Sequence, residues 1–329
     1  MRTIDWLTDG GVRIIDQTRL PGELVYLEVR SVDELVEHIK SLAVRGAMAL
    51  GVAGALGMAL AAVQAGPDAL DTELAEAARA LTGARPTAVN LGWGVRELLA
   101  ARAAGADRAG LVERALAVRD ADITTNTALS RRGAELLAGT RTVLTHCNAG
   151  ALAGVAVGSA LGVVAELHRS EPLELVYTCE TRPLLQGSRL TAWELGRLGI
   201  EYRVLVDSAA AGLIVAGRVG AVVVGADRIA ANGDVANKVG TLSHALAAHR
   251  AGIPFVVAAP ESTIDVSCAS GADIPIESRA EAEVLSLAGR PVAAPGSRAC
   301  NPAFDVTPSD LITAIVTEAR TIRGRAGPQ

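Results

Sequence analysis

From Arg141 onward, short apolar runs alternate with longer helical stretches, and this rhythm limits the possible folds more than any other feature. The apolar runs predict strands and the segments between them predict helices. Such a repeat is typical of an α/β fold, in which helices cover both faces of a parallel sheet. The predicted strands are 142–146, 173–178, 201–206, 221–225 and 254–259, and the predicted helices are 150–167, 186–198, 208–217 and 235–251.

The first part of the chain has a different pattern. Residues 1–30 alternate apolar and polar side chains around the turn Leu20-Pro21-Gly22, which predicts a small antiparallel sheet. Helical patterns follow, and the last is a long helix over 107–137 whose polar run 122–126 predicts an interruption. We therefore predict two domains: a smaller, mostly helical domain over 1–125, with the short antiparallel sheet and the connecting helix, and an α/β domain over 126–329.

Composition excludes several classes of protein. The formal net charge is -5 and basic residues cluster only in the tail Arg323-Gly-Arg325, which argues against binding nucleic acid. The uncharged stretch 46–66 has the length of a membrane span, but its Ala and Gly content favours a buried helix of a soluble protein. The four cysteines lack zinc-ligand spacing, and Asp5 and Asp9 interrupt any signal sequence, so we expect reduced thiols in a cytoplasmic protein.

Polar residues follow the predicted strands, at the edge where α/β sheets bind ligands. They are His146-Cys147-Asn148, Cys179-Glu180-Thr181-Arg182, Asp207-Ser208, Asp227-Arg228 and Ala259-Pro260-Glu261. Cys147 lies where a strand is predicted to lead directly into a helix, and backbone N–H groups with the helix dipole would lower its thiol pKa. The alternative is a buried structural cysteine.

Asp227 ends the apolar run 221–226, so desolvation is expected to raise its pKa and keep a proton available for donation. The alternative is an aspartate that caps the chain or pairs with Arg228. Asn237 and Lys238 are predicted to open the next helix, where a cation and an amide suit a phosphate or a sugar hydroxyl. A solvated helix-face lysine is the alternative for Lys238.

Two arginines precede predicted helices, in Arg45-Gly46-Ala47 and in Arg85-Pro86-Thr87, and such positions favour phosphate, although an arginine there is also ordinary. Gln186 begins another predicted helix and suits either a sugar hydroxyl or a cap. Motifs for a nucleotide P-loop, a serine-hydrolase elbow and a zinc protease are absent from the sequence.

Longer blocks carry a family resemblance from about residue 40 to residue 318. They include Arg45-Gly-Ala47, Arg85-Pro-Thr-Ala-Val-Asn-Leu91, Leu144-Thr-His-Cys-Asn-Ala-Gly150, the run 180–195, Gly225-Ala-Asp-Arg-Ile229, the run 232–241, Pro260-Glu-Ser-Thr-Ile-Asp265 and the run 301–308. Together they resemble methylthioribose-1-phosphate isomerase, a methionine-salvage family similar in fold to the regulatory subunits of translation initiation factor 2B.

The resemblance implies a Rossmann-like catalytic domain after the small N-terminal domain, a cytoplasmic homodimer, a sugar-phosphate substrate, and no metal or other cofactor. It implies that Cys147 and Asp227 are the catalytic pair. The substrate-binding residues that it implies are Arg45, Gly46, Ala47, Arg85, Gln186, Asn237 and Lys238.

The sequence departs from the family pattern at Met48, Cys179 and Glu261, and Met48 and Glu261 are expected at the pocket edge. These departures leave the 5-substituent of the sugar open. The alternatives are an isomerase of 5-deoxyribose 1-phosphate or ribose 1,5-bisphosphate, and a non-catalytic regulatory protein like the initiation factor subunits.

Overall fold

The computed structural model describes residues 1–85 and 88–324. By its internal contacts the chain divides into two units. The first unit comprises residues 1–126 and 150–158, and the second comprises 127–149 with the described residues after 158. The predicted division at 125/126 did not foresee that 150–158 belongs to the first unit.

The first unit is mostly helical and carries a three-stranded antiparallel sheet, as predicted. Helix α1 begins after Ser31, whose side chain accepts a hydrogen bond from the Glu34 amide and so caps the helix. The strands are β1 (Ile4–Leu7), β2 (Gly11–Ile15) and β3 (Tyr26–Val29), and the helices are α1 (Val32–Lys40), α2 (Ala47–Gln64), α3 (Leu70–Ala84), α4 (Val89–Ala103) and most of α5 (Arg108–Leu136).

Helix α2 has the length and apolar composition of a membrane span, but 83% of it is buried inside the protein. A helix that is apolar on all sides suits such a core position equally well.

The segment 150–158 also packs within this unit. The Thr3 amide donates to the Val155 carbonyl (2.7 Å), and the Gln17 side-chain amide donates to the Leu152 carbonyl (2.7 Å).

The predicted interruption of α5 at 122–126 is wrong, because the helix continues through these residues. Asp122 and Asn126 form side-chain hydrogen bonds without breaking the helix, although Oδ1 of Asn126 is buried with no partner among the described residues. Asn126 donates to the carbonyl and carboxylate oxygens of Asp122, and Asp122 also accepts from the Val155 amide. Burial raises the pKa of Asp122 to about 6.

The second unit is built on a seven-stranded sheet in the order β16-β15-β10-β7-β4-β5-β6, in which all neighbouring strands are parallel except β15 and β16. All five predicted strands are confirmed. The strands are β4 (Thr142–Thr145), β5 (Leu175–Cys179), β6 (Tyr202–Leu205), β7 (Ala221–Val224), β10 (Phe255–Ala258), β15 (Ala314–Val316) and β16 (Thr321–Arg323). The α/β, Rossmann-like fold class is confirmed.

The helices of this unit are α6 (Ala160–Ser170), α7 (Ala192–Arg197), α8 (Ala210–Val215), α9 (Thr241–Ala251) and α10 (Ala282–Leu285). A second sheet, in the order β11-β8-β9-β14, contains β8 (Arg228–Ala230), β9 (Val235–Lys238), β11 (Ile264–Asp265) and β14 (Phe304–Thr307). A short hairpin is formed by β12 (Ser286–Leu287) and β13 (Arg290–Pro291).

Two predicted helices begin later than expected. The helix predicted over 150–167 begins at Ala160, since 150–158 belongs to the first unit. The helix predicted over 235–251 begins at Thr241, because 235–238 forms strand β9.

Candidate active site

Cys147 and Asp227 follow two adjacent parallel strands, so they lie at the same edge of the large sheet. Thr145 of β4 is opposite Val223 of β7. The chain segments beyond these strands also touch: a Cβ added to Gly225 would lie 2.8 Å from the Cβ of Ala149. Only a glycine allows this close approach, and it brings the segments that carry the two predicted catalytic residues together.

Cys147 is a partly exposed residue, unlike the buried cysteine of the structural alternative. Its backbone has a positive φ of 61°, and both of its backbone polar groups are held by threonine hydroxyls. The Cys147 amide donates to Thr181 Oγ1 (2.9 Å), and Thr191 Oγ1 donates to the Cys147 carbonyl (2.6 Å). The expected helix start after Cys147 is absent, since α6 begins at Ala160, and the helix-dipole argument for lowering its pKa is therefore wrong.

The next two strand ends supply the frame around Cys147. The carboxylate of Asp207, which follows β6, accepts from the amides of Thr181 (2.8 Å) and Arg182 (2.7 Å). Asn148 is buried and donates to the carboxylate of Glu194 (2.8 Å). Sequence reasoning placed Thr181 and Asp207 at the correct edge but gave neither a role.

Gln186 lies where the chain passes closely over the end of β5. A Cβ added to Gly187 would lie 1.7 Å from the Cys179 carbonyl oxygen, so this crossing requires glycine. A π-helical turn, Gly187–Thr191, follows and continues into α7, and such turns are frequent at functional sites. The Gln186 side chain is 7% exposed, and its Oε1 atom has no hydrogen-bond partner among the described residues.

Asp227 is exposed, and its amide donates to the Ala236 carbonyl (3.0 Å). The expectation that the apolar strand would desolvate this carboxyl is therefore wrong for this structure, because the side chain lies beyond the buried part of β7. The neighbouring Arg228 forms an ion pair with Asp265 (3.7 Å).

Asn237 and Lys238 lie in strand β9, and the prediction that they open a helix is wrong. Asn237 is buried and donates to Thr241 Oγ1 (3.0 Å). Lys238 Nζ donates to the Ala303 carbonyl (2.7 Å) and lies 4.6 Å from the centre of the Phe304 ring. At the start of α9, the carboxylate of Asp305 accepts hydrogen bonds from the backbone amides of residues 240 and 242.

The remaining predicted binding residues belong to the first unit. Gly46 caps the start of α2 with a φ of 94°, between Arg45 and Ala47. Arg85 lies at the end of α3, whereas Pro86 and Thr87, including the predicted cap, are outside the described residues. Substrate binding by these residues stays a prediction.

His146, beside Cys147, belongs to a buried group that sequence reasoning missed. Its Nε2 atom lies 2.9 Å from the Val239 carbonyl, and its Nδ1 lies 3.2 Å from His244 Nε2, which is 3.5 Å from Cys179 Sγ. Burial lowers the pKa of His146 to about 4 and that of His244 to about 3. The three donor atoms lie within 4.8 Å of one another, so their chemistry also suits a metal ion.

Of the departures from the family pattern, Glu261 is held by other residues of the second unit. Its carboxylate accepts from Thr317 Oγ1 (2.7 Å) and pairs with Arg320 (3.0 Å). Met48 is buried in the first turn of α2. Cys179 is buried beside His244.

Comparison with known proteins decides the family. The profile described as the initiation factor 2 subunit family matches residues 43–323. The chain belongs to this family. A methylthioribose-1-phosphate isomerase of Pelotomaculum thermopropionicum is 50% identical over 330 residues, which cover 98% of this chain and 91% of that protein. A 5-deoxyribose 1-phosphate isomerase of Moorella thermoacetica is also 50% identical, over 97% of this chain and 93% of that protein.

Two solved structures share the fold across nearly the whole chain. One is the 5-methylthioribose 1-phosphate isomerase of Pyrococcus horikoshii OT3, with a TM-score of 0.91 and 39% identity over 98% of this chain and 92% of that one. The other is described as the delta subunit of translation initiation factor eIF-2B from A. fulgidus, with a TM-score of 0.88 and 42% identity over 98% of this chain and 96% of that one. The resemblance found in the sequence is confirmed.

Proposed function

We propose that this protein is an aldose–ketose isomerase that converts 5-methylthioribose 1-phosphate to 5-methylthioribulose 1-phosphate in methionine salvage. The observation that carries the proposal is its 50% identity, over nearly the full chain, to a relative named for this activity. A thiol at the partly exposed residue Cys147 and a carboxyl at Asp227, on adjacent strand ends, support the same chemistry.

The substrate dictates what these groups must do. Its anomeric oxygen carries the phosphate, so the furanose ring cannot open by losing an anomeric proton. The ring oxygen must instead be protonated as the C1–O bond to it breaks, and the carboxyl of Asp227 is the proposed donor. The Cys147 thiolate would then remove the C2 proton, and the resulting thiol would return a proton to C1 of the enol phosphate. The C2 hydroxyl proton would pass to the Asp227 carboxylate, which leaves the ketose and restores both groups.

Because Asp227 is exposed, burial in the sheet does not keep its carboxyl protonated. We propose that bound substrate excludes water from this carboxyl and favours its protonated form. A hydride shift from C2 to C1 is the rival mechanism. The reaction in D₂O tests this, since deuterium at C1 can come only from proton transfer and not from a hydride shift.

The binding roles follow from side-chain chemistry. Lys238 is proposed to bind the phosphate, and the buried Oε1 of Gln186 is proposed to accept a hydrogen bond from a sugar hydroxyl. Asn237 is proposed as a second hydroxyl-binding residue. From the first unit, Arg85 is proposed to bind the phosphate, and Arg45, Gly46 and Ala47 also to bind substrate. We further propose that the protein is a cytoplasmic homodimer.

The second candidate substrate is 5-deoxyribose 1-phosphate, which is favoured by the equally similar relative named for that activity. The two sugars differ only in the group on C5. Ribose 1,5-bisphosphate would require a second anion site, for which the sequence offers no further basic motif.

The test is a direct assay of the purified protein with the three sugar phosphates, with the ketose product detected by NMR. We expect the highest kcat/KM with 5-methylthioribose 1-phosphate, and a loss of turnover of at least about a hundredfold in Asp227→Asn. A higher kcat/KM with the deoxy sugar would reassign the substrate. Absence of turnover with all three would favour a regulatory protein instead.

A further inference from the structure

The buried group beside Cys147 forms a continuous chain of hydrogen bonds in the second unit. It runs from His244, in helix α9, to His146 at the end of β4, and from His146 to the Val239 carbonyl. Val239 directly follows Lys238, the proposed phosphate-binding residue. These hydrogen bonds therefore connect helix α9 with two backbone positions of the proposed site: His146, beside Cys147, and Val239, beside Lys238.

The protonation of both rings follows from their partners. A carbonyl only accepts hydrogen bonds, so His146 Nε2 must carry the hydrogen that it shares with Val239. Because burial keeps His146 neutral, its Nδ1 has a lone pair and must accept from His244 Nε2. His244 is also neutral, which leaves a lone pair on its Nδ1, and this buried atom has no partner among the described residues.

The ring of His146 also fits closely against the segment that it holds. Gly240 has a φ of 107°, and a Cβ added there would lie 3.1 Å from two atoms of the imidazole. The Cys179 sulfur, 3.5 Å from His244 Nε2, is left with only a weak acceptor role because that nitrogen already carries its hydrogen. The amides of Val239 and Gly240 are bonded to Ala303 and Asp305, and the two histidines add the hydrogen bond to the Val239 carbonyl.

We propose that His244 is a positioning residue for the isomerase reaction, which holds His146 in the Nε2–H form and thereby fixes the Lys238–Gly240 segment beside Cys147. This inference rests on the proposed function. Without a donor at position 244, the Nδ1 atom of His146 would be left buried and unpaired, or the ring would turn and the Val239 carbonyl would lose its donor. Either change removes one of the hydrogen bonds that hold the backbone next to Lys238.

The test compares two substitutions of the same residue. His244→Gln retains an N–H near the position of Nε2, whereas His244→Leu fills similar space and donates nothing. We expect kcat/KM to fall about tenfold in His244→Leu, the value of one hydrogen bond, and to stay within about twofold in His244→Gln. The loss should lie mainly in KM, since Lys238 is displaced while Cys147 remains held by Thr181 and Thr191.

A second measurement does not depend on activity. In protein with ¹⁵N-labelled histidine, the ring nitrogens of His146 should report the Nε2–H form in the wild type and in His244→Gln, and a changed form in His244→Leu. The exposed His249, on the same helix, provides the control His249→Gln, which should change neither measurement.

Equal kcat/KM in His244→Leu and the wild type would overturn the proposal, and so would equal losses in both variants at equal stability. One equivalent of tightly bound zinc in the purified protein would also overturn it, since the three side chains would then be metal ligands. If the wild type has no isomerase activity but the NMR result holds, the proposed function fails while the proton arrangement stands.

Discussion

Strands β4 and β5 are neighbours in one sheet, and both lead to a cysteine, but the two thiols have opposite environments. Cys179 is the last residue of β5 and is fully buried, and desolvation, with the nearby charges of Asp207 and Glu180, raises the pKa of its thiol. Cys147 lies two residues beyond β4, where the backbone has a positive φ and the residue is partly exposed.

The difference shows that a strand end is not by itself a reactive position. The left-handed backbone at Cys147 costs on the order of 1–2 kcal/mol, and the hydrogen bonds from Thr191 and to Thr181 hold it in place. Cys179 has an ordinary strand conformation and contributes to packing. We therefore expect reactivity at this edge to depend on what holds the chain after the strand.

The largest expected effect is the contrast in turnover between the two thiols. Cys147→Ser should lower kcat by at least about a thousandfold, because a serine hydroxyl is a far weaker base and nucleophile than a thiolate. Cys179→Ser should keep kcat within about threefold of the wild type. Steady-state kinetics check both variants, with circular dichroism as the folding control. Comparable losses of kcat in the two variants would contradict the proposed difference between the two thiols.

The next effect is the pH dependence of stability that is expected from the two buried histidines, His146 and His244. Their folded pKa values, about 4 for His146 and about 3 for His244, lie below the ordinary 6.5, so the unfolded chain binds more protons between these limits. Their contribution is complete above pH 6.5 and is lost as pH falls through the folded values, by about 3 kcal/mol for His146 and about 5 kcal/mol for His244. His244→Gln should flatten this loss in urea unfolding between pH 7 and pH 4.

The ionisation of Asp122 changes stability with pH in the opposite direction, so a substitution at Asp122 provides a second test of this prediction. Its folded pKa of about 6 lies above the ordinary 3.8, so its contribution is present at low pH and is lost as pH rises from about 4 to about 6. Asp122→Asn should therefore make the rise of stability with pH steeper, while His249→Gln should leave it unchanged. A slope that is the same in all of these variants would contradict the assignment.

A smaller effect tests the crossing over the Cys179 carbonyl. Gly187→Ala should lower the free energy of unfolding by about 2 kcal/mol, because its Cβ would overlap that oxygen and the backbone would have to move. Gly212→Ala in α8 is the matched control, since nothing lies within 4 Å of its added Cβ, and it should be neutral or slightly stabilising. Urea unfolding compares the two, and a neutral Gly187→Ala would show that the crossing is not tight.

The large sheet could be predicted because its strands are short, apolar and separated by helical stretches, as in 221–225. The second sheet was missed because the hairpin around Asn232-Gly233 was interpreted as a turn before a helix. An Asn-Gly pair between apolar residues is a strong hairpin signal and could have revealed β8 and β9.

For the candidate site, the sequence predicted which residues share one edge of the sheet better than it predicted their surroundings. Residues after parallel strands converge at one edge by geometry alone, which is why Cys147 and Asp227 were found together. The absence of an α-helix directly after Cys147 reflects the path of residues 150–158, which belong to the first unit. Nothing in the local sequence of β4 specifies that excursion. The histidine chain joins residues nearly a hundred positions apart, which no short motif records.

The excursion of 150–158 has a consequence for how the protein is made. Translation completes the first 126 residues before it reaches Leu152 and Val155, the acceptors for the Gln17 side chain and the Thr3 amide. The amino-terminal unit is thus completed by nine residues encoded in the middle of its neighbour. The two units consequently cannot be exchanged between proteins as simple sequence blocks. A gene fusion cut after residue 126 would separate the three-stranded sheet from residues 150–158, which accept hydrogen bonds from Thr3 and Gln17.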